Sequence, residues 1–222
     1  MKLVREGYPF VGAAAVLAAA AWVAVAQLGG AAWTGAAIVL SVLAAFVLWF
    51  FRDPVRNAPP DAAVVVAPGE GRVVDIKEID EPSFLRTTAR RISIFLSVFD
   101  VHVQRAPVSG TVEHRVHRPG KFAVAWLEKA SEDNEQASLG FTTPHGRVLV
   151  RQIAGLVARR IVTDPAVGDH VERGERIGII RFGSRVDLFV PLDWELTCAV
   201  GDRARVGATA LARVPAGVRT RP

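Results

Sequence analysis

Val167-Gly168-Asp169-His170-Val171-Glu172-Arg173-Gly174-Glu175-Arg176-Ile177 is echoed further along the chain by Val200-Gly201-Asp202-Arg203-Ala204-Arg205-Val206-Gly207-Ala208-Thr209-Ala210. Glycine recurs where the backbone must reverse, and apolar positions flank it, so each copy reads as a strand, a turn and a strand. A second echo lies upstream, Ala67-Pro68-Gly69-Glu70-Gly71-Arg72-Val73-Val74 against Ala106-Pro107-Val108-Ser109-Gly110-Thr111-Val112. Working outward, β-branched runs set off by Gly and Pro cover Val64 to Ala67, Arg72 to Ile76, Arg91 to Val103, Gly110 to Val116, Arg147 to Ile153, Ala158 to Val162, Glu175 to Phe182 and Val186 to Val190. The pattern predicts a mainly β, mostly antiparallel domain.

The motif Val-Gly-Asp-x-Val-x-x-Gly looks like the hammerhead hairpin of biotinyl and lipoyl carrier domains, which implies a barrel-sandwich architecture. A carrier module would need a lysine at a hairpin tip, and neither repeat offers one at a plausible tip. Stretch 118 to 140 differs from its surroundings, with many charges and few β-branched residues, and reads as a loop with a helical turn.

Upstream of the β domain the composition changes. Phe10 to Leu28 and Ala31 to Phe51 are almost purely apolar, and each as a helix would reach roughly 30 Å, about the thickness of the bilayer hydrocarbon. Gly29-Gly30 leaves room only for a tight turn, so residues 1–51 read as a membrane-anchoring helical hairpin. Lys2 and Arg5 open it and Arg52 and Arg56 close it, which places both ends in the cytoplasm by the positive-inside rule. The expected location is therefore the cytoplasmic face of the cell membrane. A signal peptide is the rival for the first segment, but a second apolar segment follows at once; a hairpin embedded in one leaflet is the third reading. Pro54, Pro59 and Pro60 make residues 52–61 a stiff linker, and residues 62–222 form the β domain.

Half of the 222 residues are apolar, enough for an ordinary core, and the formal charge is +5. Lysine occurs only at Lys2, Lys77, Lys121 and Lys129, so the basic surface is arginine, suited to anionic lipid or nucleic acid. Cys198 is the single cysteine, which excludes an intrachain disulfide framework. The five histidines form no set with zinc-ligand spacing, and no metal is expected.

The chemistry concentrates at Gly183-Ser184, just after the strand-like Ile177 to Ile180. Glycine tolerates strained backbone and leaves its carbonyl open, and the next hydroxyl lies a short swing from that carbon. An N-to-O acyl shift, β-elimination and hydrolysis would leave a pyruvoyl ketone on residue 184, able to condense with an amine as a Schiff base and act as an electron sink without pyridoxal phosphate. An ordinary Gly-Ser turn is the bland alternative. On Arg91 to Gln104, an unbroken strand would put Asp100 and His102 on the face that Ile92, Ile94, Leu96 and Val98 bury, a carboxylate and an imidazole poised for proton transfer. A strand that ends near Phe99 would leave both to solvent. Arg151-Gln152 and Arg159-Arg160 flank an apolar stretch and would suit a phosphodiester, or serve as surface salt bridges.

Phe50-Phe51-Arg52-Asp53-Pro54, Phe95-Leu96-Ser97-Val98-Phe99-Asp100-Val101-His102, Arg118-Pro119-Gly120-Lys121-Phe122, Lys129 to Glu135, Arg151-Gln152-Ile153-Ala154-Gly155 and Phe182-Gly183-Ser184-Arg185-Val186-Asp187 together resemble, in order, the short bacterial and archaeal form of phosphatidylserine decarboxylase. The resemblance implies self-cleavage between Gly183 and Ser184 into a β chain of residues 1–183 and an α chain of residues 184–222. The two stay together as a heterodimer, with further assembly left open. It implies a pyruvoyl cofactor made from Ser184, with neither a metal nor pyridoxal phosphate. The substrate would be phosphatidylserine at a membrane lipid surface, decarboxylated to phosphatidylethanolamine in phospholipid biosynthesis, with no nucleic acid involved. Arg151 and Gln152 become substrate-binding candidates. Asp100 matches the aspartate that works with a histidine to activate the serine. The longer members carry that histidine where this chain has Val124-Ala125-Trp126, so His102 is the substitute and His117 a second candidate. The family's Pro-Ala-Asp-Gly turn appears here as Pro68-Gly69-Glu70-Gly71, with the acid displaced. The competing reading is a non-enzymatic membrane adaptor built on the same β units, whose chain would stay intact.

Overall fold

In the computed structural model, residues 2–120, 134–155, 161–181 and 184–216 are described. The chain forms two compact units, Met1–Val55 and Arg56–Pro222. In the first, two-residue strands β1 (Lys2–Leu3) and β2 (Arg52–Asp53) pair antiparallel and bring the two ends together. Between them run α1 (Tyr8–Leu28) and α2 (Ala31–Phe50), both long and apolar enough to cross a membrane. The turn needs its glycines: Gly29 and Gly30 have φ of 64° and 89°, a region that side chains with a Cβ avoid. Small residues let the helices approach, with Ala18, Ala21 and Ala37 buried between them, and Trp22 Nε1 donates to Ser41 Oγ at 3.1 Å. Arg52 stacks over the Trp49 ring at 4.0 Å, a basic and aromatic pairing of the kind that sits at lipid headgroups.

The second unit is β throughout: β3 (Val64–Val66), β4 (Gly71–Glu81), β5 (Thr87–Leu96), β6 (Val103–Arg105), β7 (Gly110–Arg118), β8 (Gln136–Thr143), β9 (Gly146–Ala154), β10 (Ile161–Thr163), β11 (His170–Val171), β12 (Arg176–Ile180), β13 (Ser184–Val190), β14 (Glu195–Leu196), β15 (Arg203–Ala204) and β16 (Ala210–Arg213). They build an eight-stranded sheet of order β11-β7-β8-β9-β13-β5-β4-β15 and two three-stranded sheets, β10-β12-β6 and β14-β16-β3, all antiparallel. The expected mainly β class is what forms. The loop expected over 118 to 140 is shorter at both ends, because β7 runs through Arg118 and β8 starts at Gln136; residues 121–133 lie outside the described ones. Alternation in β8 sends Ala137, Leu139 and Phe141 into the main core while Gln136, Ser138 and Gly140 are buried on the other face, so its small polar residues hid a strand covered on both faces.

The two sequence echoes are echoes in space. Gly168 N–H donates to Val112 O and Gly201 N–H to Val73 O, each at 2.8 Å. Gly174 N–H donates to Ala106 O and Gly207 N–H to Ala67 O, again each at 2.8 Å. Asp169 and Asp202 close the same turn, accepting from Ala166 and Ala199 N–H at 2.8 Å. Thus β11 caps β7 at one edge of the large sheet as β15 caps β4 at the other. Both edges end in short, turned-back strands rather than long unpaired ones. One face of the large sheet packs its aliphatic side chains against the small sheets, with Ile92, Ile94, Leu96, Val150, Val186, Leu188 and Ile180 in the main core, and Phe84, Leu85, Ala89, Leu149 and Phe189 form a second, smaller cluster.

Candidate active site

Two chain segments pass between the large sheet and the β10-β12-β6 sheet at the same place. One leaves β5 for β6 and the other leaves β12 for β13, antiparallel to it. Leu96 pairs with Ser184 on one side of the passage and Val103 with Ile179 on the other. Between these fixed points the first segment has six residues, 97 to 102, and the second has four, 180 to 183. The surplus is taken up by a turn. Asp100 N–H donates to Ser97 O at 2.9 Å, and the Asp100 carboxylate accepts from Ser97 N–H and Ser97 Oγ, both at 2.8 Å. Side-chain bonds of this local kind compete with a strand ladder and win here. An unbroken strand from Arg91 to Gln104 therefore does not form: β5 stops at Leu96 and Phe99 turns out to solvent. Asp100 and His102 are buried nonetheless, by the turn instead of by a strand face.

The second oxygen of Asp100 meets the Arg203 guanidinium, which reaches in from β15. His102 does not face that carboxylate. Its Nδ1 lies 2.9 Å from the Asp100 backbone carbonyl, and a carbonyl only accepts, so Nδ1 carries the proton and Nε2 is the basic atom of the neutral ring. The His102 carbonyl is fixed in turn: Gln104 Nε2 donates to it at 2.6 Å and Ile180 N–H at 3.3 Å. Gln152 Nε2 donates to Gln104 Oε1 at 2.9 Å, completing an amide relay from β9 to the histidine. Gln104 and Arg203 gave no signal of their own in the sequence beyond their places in the alternation and in the repeat.

Ser184 opens β13 between Leu96 and Ala154, fully buried, and its Oγ has no hydrogen-bond partner among the described residues. Gln152 stands at the diagonal position on the same face, and its Oε1 is likewise buried and unpartnered. Two such orphans are costly, about 1–3 kcal/mol each, and their adjacency asks for a ligand or a reaction. Gly183 lies outside the described residues, as do Val124-Ala125-Trp126 and Arg159-Arg160.

Strand alternation separates the two substrate-binding candidates. Gln152 shares the core face with Ser184, whereas Arg151 emerges on the opposite face beside Asp187 and over the Phe189 ring at 4.8 Å. There Arg151 Nη2 donates to Glu81 Oε1 at 3.2 Å. Burial loosens its hold on the proton, against the pull of the Asp187 and Glu81 carboxylates. Burial pushes Glu81 up, but donation from Ser83, Phe84 and Leu85 outweighs it and holds the carboxyl below its ordinary range. His114 on this face is pushed down by burial. His117 sits on the Ser184 face of β7, with Nε2 2.9 Å from Glu135 Oε1. Among the described residues no three His, Cys, Asp or Glu side chains converge as metal ligands would.

Residues 43–212 match the family described as phosphatidylserine decarboxylase. Similar chains named phosphatidylserine decarboxylase proenzyme include one from Symbiobacterium thermophilum, 50% identical over 96% of both chains. Another, from Salinibacter ruber, is 53% identical over 82% of both. A third, from Magnetococcus marinus, is 44% identical over 95% of this chain and 94% of the relative.

Proposed function

This chain belongs to the phosphatidylserine decarboxylase family, and from that premise we propose that it cuts its own backbone between Gly183 and Ser184 and then converts phosphatidylserine to phosphatidylethanolamine and carbon dioxide. It is an enzyme, a carboxy-lyase. The observation that supports self-cleavage is the buried Ser184 Oγ at the start of β13, which has no partner among the described residues, where two chain segments cross between sheets. A serine hydroxyl satisfied by a neighbour would be a structural residue; this one meets no such neighbour among the described residues.

In the first step Ser184 Oγ bonds to the Gly183 carbonyl carbon while the peptide C–N bond breaks, leaving an ester and an amine. Removal of the Ser184 α-proton then expels the Gly183 carboxylate, and hydrolysis of the resulting dehydroalanine releases ammonia and leaves a pyruvoyl group. Asp100 and His102 supply the bases. The Asp100 carboxylate is held by Ser97 and Arg203 on the turn opposite Ser184, and the His102 ring is oriented by its Nδ1–H donating to the Asp100 carbonyl. The ketone contributes an electron sink for the pair of electrons left as carbon dioxide departs. Residue 184 fits this role: Leu96, Ala154 and Val186 make its surroundings apolar, and Gln152 Oε1 offers an unused acceptor to an incoming ammonium.

The α chain, residues 184–222, stays bound to residues 1–183 after the cut because β13 is paired along its length to both β5 and β9. The two apolar helices, with Lys2 and Arg52 brought together at one end, support attachment to the cytoplasmic face of the membrane, where the lipid substrate resides.

Intact mass under denaturing conditions tests the reading. The wild type should give two chains, the smaller starting at residue 184 and lighter than a serine-initiated peptide by the mass of ammonia. Ser184→Ala should give one uncut chain that forms no phosphatidylethanolamine. A processed Ser184→Ala chain would overturn the mechanism, and an uncut, inactive wild type would return the adaptor reading.

A further inference from the structure

Apolar and basic side chains gather in solvent along the β4–β15 edge of the large sheet. Phe99, on the turn between β5 and β6, is 67% exposed, and Val74 and Val200 are exposed as well. Val74 and Val200 are neighbours, because Gly201 N–H donates to Val73 O and Val73 N–H to Asp202 O. The β4 ladder passes from Val73 to Asp75, so Val74 is the residue it skips and turns outward. Phe99 adjoins them through Asp100, whose carboxylate holds Arg203 of β15. This edge is also the rim of the site, since Leu96, three residues before Phe99, pairs with Ser184.

The charges of the edge are not arranged for folding. Arg72 and Arg203 stand directly opposite one another across β4 and β15, where like charges repel. Arg203 meets Asp100, but Arg72 donates to the Gly201 carbonyl, and Arg205, exposed on the same hairpin, has no carboxylate partner among the described residues. The echoing hairpin at the other edge shows such a turn serving the fold alone. Its charges are mixed and spent on the protein: Glu172 accepts from Ser109 Oγ, Arg173 donates to the Pro59 carbonyl and Arg176 pairs with Asp164. Around the shared aspartate, the second hairpin carries Arg203 and Arg205 and no further acid.

We propose that this edge lies on the anionic lipid surface, with Phe99 set among the headgroups and Arg72 and Arg205 on their phosphates, so that the passage holding Ser184 opens at the bilayer. The inference rests on the decarboxylase reading and adds to it a lipid contact made by the β domain, separate from the helical hairpin. An exposed aromatic ringed by guanidinium groups is the composition that interfacial segments use, the ring in the acyl boundary and the charges at the headgroups. A second copy of the same edge is a poor occupant, because a two-fold contact would set these arginines against themselves. A lipid substrate presents its headgroup at the membrane surface, so an opening held there meets it without extracting it.

The test uses the full-length, self-cleaved protein in vesicles of phosphatidylcholine and phosphatidylglycerol. Phe99→Cys, Val200→Cys and Val167→Cys, each over Cys198→Ala, take a fluorophore on a single thiol. Val167 is the control, since it is 60% exposed, as Val200 is, and holds the same place in the other hairpin. Labels at 99 and 200 should be quenched by lipids carrying a nitroxide near the headgroup and shielded from iodide, while the label at 167 answers to iodide alone. No lipid quenching at 99 and 200, or equal quenching at all three, overturns the contact. Shielding from iodide without lipid quenching also overturns it, and would mean that protein, a second copy included, covers the edge. Should the labelled variants fail to fold, kinetics decides. Phe99→Ser and Arg205→Gln should cleave themselves as the wild type does, yet each should raise KM for phosphatidylserine in vesicles by roughly fivefold, with KM for a short-chain, monomeric phosphatidylserine unchanged. An unchanged KM in vesicles, or an equal rise for both substrates, overturns the surface role. The quenching pattern needs no turnover, so a wild type that shows it but releases no carbon dioxide from either substrate would count against the decarboxylase reading instead.

Discussion

Strand β5 is closed at both ends by a buried carboxylate, and the two ends do different work. Before it, Glu81 accepts from Ser83, Phe84 and Leu85 N–H, from Ser83 Oγ and from Arg151, so that every donor of the turn is spent on it. After it, Asp100 accepts one backbone N–H, one hydroxyl and one guanidinium that reaches in from a side chain still 60% exposed. Glu81 is saturated by its own turn and by a neighbouring strand. Asp100 is held more lightly, and across from it stand a histidine with a fixed tautomer and a serine whose Oγ has no partner among the described residues. Both carboxylates cap a turn by the same chemistry, and what separates structure from catalysis is what lies unspent beside them.

Substitutions at the two ends should therefore fail in opposite ways. Asp100→Asn keeps an oxygen for Ser97 and removes a base, so self-cleavage should slow by at least ~100-fold while the fold is retained. Mass spectrometry of chains sampled over time reads the rate, and normal processing would remove Asp100 from the base role. Glu81→Gln should do the reverse, costing about 2–3 kcal/mol by weakening the charge-assisted bonds of its turn and leaving Arg151 only the Asp187 carboxylate, while folded molecules cleave themselves at the wild-type rate. Its pH signature follows from sign. Glu81 sits below its ordinary value of 4.5 when folded, so its contribution is complete above that value and is lost as pH falls through the folded one. The stability gap between wild type and Glu81→Gln, read by urea unfolding, should close as the pH is taken below 4.5. A gap independent of pH would mean that Glu81 stabilises by shape alone.

How far the sequence spoke differs between these regions for physical reasons. The helical hairpin was legible to within two residues because uninterrupted apolar runs and Gly29-Gly30 are local signals. The hammerhead echoes were legible because a turn that requires positive φ requires glycine, as at Gly168 and Gly201. Strand β8 was not, since Ser138 and Gly140 dilute the alternation that Leu139 and Phe141 carry, and only the neighbouring strands supply the rest. At the site, Gly183-Ser184 and Asp100 stood out by residue type. A strand ending near Phe99 was one of the two readings, but the burial of Asp100 and His102 despite the break was not legible, because the turn arises from a six-against-four difference in length between two segments far apart in sequence. The Gln152–Gln104 relay was hidden for the same reason: its members lie on β9 and β6, and no local pattern joins them. Arg151-Gln152 was legible as a pair, but strand alternation sends the two side chains to opposite faces.

The smallest effect is expected at Arg203, and it sharpens the comparison most. Its guanidinium touches Asp100, yet the side chain is largely in solvent, where an ion pair contributes at most about 1 kcal/mol. Ser97 would still hold the other carboxylate oxygen in Arg203→Gln, so the turn should persist, with the unfolding midpoint barely moved and self-cleavage slowed by less than about fivefold. Both carboxylates are buried, and the contrast with Glu81 lies in the arginine and the donors: Arg151, 20% exposed, meets a carboxylate locked by three backbone donors, whereas Arg203, 60% exposed, meets one that has only Ser97 besides. If Arg203→Gln slowed cleavage as much as Asp100→Asn while leaving stability intact, Arg203 would be aiming the Asp100 carboxylate at its target, and the lightly held end of β5 would owe its reactivity to β15.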